Sequence, residues 1–169
     1  MMKAIFATFI ILLVSIYSYS QSKKTNINTT SKAETEALIK NKIETYAYES
    51  NNGKISYKYK LKFVQGILDI YETLNFQGVI MENAIELPLA QISSILIEEK
   101  EDTIWLTIKI RDNKPLITTF DEKMKETHSD KCTILLKKSF MDSDLVTRIT
   151  KAFNHLIKLN GGSILKEVF

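Results

Sequence analysis

A chain of 169 residues with 23 basic and 20 acidic side chains carries a net charge of +3 and has a single cysteine. That length suits one domain able to bury a core without staples. So mild a charge excludes the strongly basic surface of a nucleic-acid binder, and one cysteine excludes an internal disulfide.

Met1, Met2 and Lys3 give a short positive start, and residues 4–17 are almost wholly apolar. Ser18-Tyr19-Ser20 then places small residues one and three before a cut. This is the layout of a secretory signal peptide over residues 1–20, cleaved between Ser20 and Gln21. The rival is a retained anchor. Against it, the apolar run falls short of the roughly 20 residues that cross a bilayer. Thr8 and Ser15 dilute it, and no Lys/Arg cluster follows. The junction also lacks a cysteine for a lipid. Export to the periplasm or the cell exterior is expected, with no stable membrane span after cleavage.

Residues 21–30 (QSKKTNINTT) are polar and read as a flexible leader; residues 31–162 read as one domain, and 163–169 as a tail. Ser31-Lys32-Ala33-Glu34 is a capping box, in which the serine hydroxyl accepts from the third helical N–H and the glutamate reaches back. Leu38, Ile39, Ile43, Tyr46 and Ala47 extend it into a helix expected to reach residue 48. Asn51-Asn52-Gly53 breaks that period. Over residues 54–64, Ile55, Tyr57, Tyr59, Leu61 and Phe63 then alternate with Lys54, Ser56, Lys58, Lys60 and Lys62. The pattern predicts a strand with one buried and one wet face.

Gln65-Gly66 turns that strand into a second at 67–74, and shorter strands are expected at 76–81 and 84–87. Pro88 precedes a strand at 92–98, and Glu101-Asp102 turns into another at 103–111. There Ile104, Leu106, Ile108 and Ile110 share one face, opposite Trp105. Asp112-Asn113-Lys114-Pro115 is a turn into 116–120. Residues 121–131 read as a charged loop and 132–138 as the last strand. A final helix is expected from 142 or 143 to 159. Asp142, Ser143 and Asp144 start it, Gly161-Gly162 stop it, and Leu145, Val146, Ile149, Ala152, Phe153, Leu156 and Ile157 line one face.

The expected fold class is α+β: an N-terminal helix, an antiparallel meander of about seven strands forming a bent sheet or partly open barrel, and a closing C-terminal amphipathic helix. Three stretches carry a resemblance: Pro88-Leu89-Ala90-Gln91-Ile92-Ser93-Ser94-Ile95, the hairpin at 105–120, and Lys151-Ala152-Phe153-Asn154-His155-Leu156. Through them residues 87–161 resemble pleckstrin-homology-like (PH-like) domains, in which a C-terminal helix closes a bent seven-stranded barrel. The chain beyond residue 20 is also similar to small bacterial exported proteins ending in an Ala-Phe-Asn-His-Leu helix. The resemblance implies a fold and no catalytic residue. Two features depart from the phosphoinositide binders: a helix precedes the sheet, and no Lys-x-Arg cluster stands in the first hairpin. Inositol-lipid recognition is therefore not carried over.

Chemistry is sparse. No G-x-S-x-G, P-loop, G-x-G-x-x-G or H-E-x-x-H pattern occurs, and neither a cofactor nor a metal is expected. Glu126, His128 and Asp130 are the residues from which a small hydrolase or transferase site would be assembled, yet catalytic zinc takes three protein ligands. Cys132 alternates with Ile134 and Leu136 and reads as a small core residue. Arg148, Lys151, His155 and Lys158 form a stripe on the polar side of the last helix, a candidate surface for an anionic partner. At about 1 kcal/mol per cation at an anionic membrane, its three cations Arg148, Lys151 and Lys158 supply about 3 kcal/mol, short of the roughly 4 kcal/mol of a millimolar complex. Trp105 is a candidate ligand contact if its face of the sheet is open, and core if that face is covered. The leading expectation is a non-enzymatic binding or interaction module with a protein or lipid partner in the cell envelope. The other alternative is carriage of an apolar ligand in a barrel mouth.

Overall fold

The computed structural model describes residues 31–141 and 143–163. The signal segment at 1–20, the leader at 21–30, the cap residue Asp142 and the tail beyond Ser163 lie outside the described residues.

Ser31 Oγ accepts from Glu34 N at 3.2 Å while Glu34 Oε2 accepts from Ser31 N at 2.7 Å. The capping box therefore forms and opens α1 (Lys32–Thr45). The backbone N–H of Ser31, then its side chain, hold the Glu34 carboxyl below its ordinary value. Thr35, Ile39 and Ile43, four residues apart, are the line that α1 buries. Expected to reach residue 48, the helix ends at 45 because the next residues lie extended between two strands. Lys137 N donates to Tyr46 O at 2.8 Å, Tyr48 N to Leu135 O at 3.1 Å, and Tyr57 N to Tyr48 O at 2.7 Å. These bonds satisfy backbone groups on both sides, which another helical turn would not do.

β1 (Ile55–Val64), β2 (Ile67–Phe76) and β3 (Val79–Pro88) run as a meander. Both turns are a two-residue Gln-Gly pair with φ positive throughout: 49° and 84° at Gln65-Gly66, 53° and 90° at Gln77-Gly78. That geometry matches the twist of the flanking strands. The two short strands expected at 76–81 and 84–87 are thus corrected to one strand, since the turn falls at Gln77-Gly78 and pairing resumes directly after it.

β4 (Ile92–Lys100), β5 (Thr103–Ile110), β6 (Ile117–Phe120), β7 (Glu126–Ser129) and β8 (Lys131–Lys137) follow, and α2 (Ser143–Leu159) closes the described fold. The eight strands form two antiparallel sheets, ordered β1-β2-β3-β6-β7 and β4-β5-β8, with no closed barrel. Against the expected meander of about seven, the described residues form eight strands: the merger into β3 removes one, and β7 arises inside the segment read as a loop, pairing Thr118 with His128 and Phe120 with Glu126.

The core fills the space between sheets and helices. Leu61, Leu68, Ile70 and Leu87 point inward from the larger sheet, and Ile104, Leu106, Ile108, Ile134 and Leu136 from the smaller. α1 packs on β1 and on α2, while α2 also crosses β4 and the turn at Leu89–Gln91. Ile149, Phe153, Leu156 and Ile157 are fully buried, each contributing roughly 1.5–3 kcal/mol as an upper estimate. Among the described residues no helix is long and apolar enough to cross a membrane.

Candidate functional site: a groove on the outer sheet face

Alternation sends every second residue of the larger sheet outward. On β1 the outward residues Lys58, Lys60 and Lys62 are exposed while Tyr59 and Leu61 are buried. Cross-strand pairing then sets the outer face in rows. Lys60, Tyr71, Ala84 and Phe120 share one row; Lys58, Thr73 and Glu82 share the next.

A groove of about 620 Å3 opens over these rows. Its floor is apolar: Tyr71, Ala84 and Phe120, with Met124 rising beside them at 75% exposure. Acids surround that floor. Glu82 and Glu86 come from β3, Asp121 and Glu122 from the β6–β7 loop, and Lys60 is the one cation in the lining. The loop is held in place locally, since Asp121 Oδ1 accepts from the backbone N–H of Lys123 and of Lys125, each at 2.9 Å. Met124 N donates to Asp121 O at 2.8 Å, and Met124 adopts φ 58°. The turn thereby presents Met124 to the groove. Glu72 of β2 also lines the groove, its Oε1 accepting from Asn83 Nδ2 at 3.0 Å. Five carboxylates against one ammonium, around an apolar floor, suit a cation with an apolar body.

The residues singled out in the sequence lie elsewhere. Trp105 is half-buried on the outer face of the smaller sheet; its Nε1 donates to Thr103 Oγ1 at 2.9 Å, and Lys100 Nζ sits 4.2 Å from the ring centroid. The ring face is thus occupied by a cation of its own chain. On α2, Arg148, Lys151 and Lys158 are exposed and His155 is half-buried. Asp144 lies 3.8 Å from Arg148, which lowers the positive field at one end of the stripe.

Glu126 and His128 do come together on β7, with Oε1 3.1 Å from Nε2 and both side chains about half exposed. Thr118 Oγ1 stands 3.4 Å from His128 Nδ1. Asp130 lies past the end of β7, and among the described residues no three His, Cys, Asp or Glu side chains are grouped to hold a metal ion. Cys132 is buried, and burial first, then the charge of Glu72, pushes its thiol up to about 12. A thiol so placed is not a nucleophile at neutral pH.

Sequence reasoning missed the groove because its lining comes from β1, β2, β3, β6 and a loop, with no local motif. Compared with known proteins, the chain matches no family model, no curated protein and no solved structure.

Proposed function

We propose that this chain is an exported, non-enzymatic binding module whose outer-sheet groove takes a cationic ligand with an apolar body, such as a lysine-bearing peptide segment. The observation that carries this reading is the pairing of an apolar floor with an acidic surround in one groove of about 620 Å3. Export rests on the layout of residues 1–20. The PH-like likeness remains part of the proposal through the sequence stretches that carry it and the C-terminal helix packed on the sheets. The leading helix departs from that pattern.

Calorimetric titration with an end-blocked peptide of alternating lysine and apolar residues tests the site. Saturable binding is expected, weakened about tenfold or more by Glu82→Lys combined with Glu86→Lys. The counterpart peptide with glutamate in place of lysine should not bind. Equal binding of both peptides, or no loss in the double variant, would remove the groove as a cation site.

A further inference from the structure

Lys58, Lys60 and Lys62 share the groove's outward face, along β1. Two strands away, Glu82 and Glu86 face the same way and are four residues apart, as Lys58 and Lys62 are. The third row of the register aligns Lys62, Asp69 and Glu86. The face is therefore basic along β1 and acidic along β3, with Tyr71 of β2 midway and 41% exposed. None of Lys58, Lys60, Glu82 and Glu86 belongs to an ion pair among the described residues.

We propose that the groove's cationic occupant is β1 of a second copy of this chain, giving a two-fold dimer through the outer faces of the larger sheets. The proposal rests on the groove being a cation site. A two-fold axis parallel to the strands lays β1 of one copy over β3 of the other and preserves every row. Lys58 then meets Glu82 and Lys62 meets Glu86, while Lys60 enters the row of Ala84 and Phe120 beside Asp121 and Glu122. Within one chain Lys62 Nζ lies 4.9 Å from the Tyr71 ring centroid; in the dimer it swings to Glu86 of the other copy, and the two Tyr71 rings meet at the axis. Each pair occurs twice, as an isologous contact requires. An axis across the strands would instead set β1 on β1, lysine against lysine, and the repulsion selects against it. Face-to-face sheets lie about 10 Å apart, a gap that a lysine and a glutamate span together. Aligned packing rotates them by about 30°, which keeps the central rows in reach.

Sedimentation of the chain over a concentration series tests this. At low salt the wild type should reach twice the monomer mass, and at about 1 M salt it should return to monomer as the charges are screened. Lys58→Glu with Lys62→Glu should be monomeric, and so should Glu82→Lys with Glu86→Lys. An equimolar mixture of the two variants should recover the doubled mass, because both interfaces are then complementary. A wild type that stays monomeric, a mixture that stays monomeric, or a dimer that survives either swap would overturn the proposal. Peptide titration separates this from the parent reading. The Lys58→Glu, Lys62→Glu variant should still bind the lysine peptide. A monomeric wild type that binds the peptide overturns the dimer alone, whereas absence of peptide binding by the monomeric Lys58→Glu, Lys62→Glu variant, whose groove is open, overturns the site itself.

Discussion

Cys132 shows how a single residue follows from alternation. Spaced by two from Ile134 and Leu136, it takes the inward face of β8 and is buried with them. Its thiol pKa is raised from 9.0 to about 12, by burial first and by Glu72 second. An acid whose folded pKa lies above its unfolded value contributes stability fully present below the unfolded pKa and lost as pH rises through the folded one. Stability should therefore decline between pH 9 and pH 12, the span of that shift. Burial raises the phenols of Tyr57 and Tyr59 as well, so they add to the same decline. Cys132→Val should flatten the loss, read as the denaturant midpoint against pH; an unchanged slope would mean that the thiol ionises alike in the folded and unfolded chain. Trp105 was less legible. Alternation set it opposite the core face, but only the fold shows Lys100 over its ring.

At the scale of elements, local chemistry written in a few adjacent residues was readable and tertiary competition was not. The capping box at Ser31 and Glu34 formed as its residue types require. The end of α1 was misplaced because bonds from Leu135, Lys137 and Tyr57, distant in sequence, draw residues 46–50 out of the helix. β7 has no apolar alternation, since Glu126, Thr127 and His128 are all exposed on the last strand of the sheet, so periodicity could not reveal it. The repeated Gln-Gly pair was the signal that could have located the turn between β2 and β3. Beyond α2, Gly162 meets the chain closely: a Cβ there would lie 2.6 Å from Ala90 O and 2.7 Å from Ile157 Cγ2. Gly162→Ala should cost about 1–3 kcal/mol by crowding, measured by denaturant unfolding. A neutral result would show that the chain after α2 can shift away from the turn at Leu89–Gln91 without loss.

For the whole molecule, the α+β class was legible because α2 and strands such as β1, β5 and β8 carry their own hydrophobic periods, and those periods already imply one shared core. The groove was not. Lys60, Tyr71, Ala84, Phe120 and Met124 become neighbours only through strand register and a turn, and register is set by pairing across the sheet rather than by local composition. The stripe of Arg148, Lys151, His155 and Lys158 was visible precursor evidence for the opposite charge preference, an anionic partner on α2. Amide chemical-shift mapping decides between the two surfaces in one measurement, with the lysine peptide and its glutamate counterpart added in turn. The lysine peptide should shift Tyr71, Ala84, Phe120 and the loop at 121–125 and leave α2 unmoved. Shifts confined to the α2 stripe on adding the glutamate peptide, with the outer sheet face silent to lysine, would contradict the groove as the binding site.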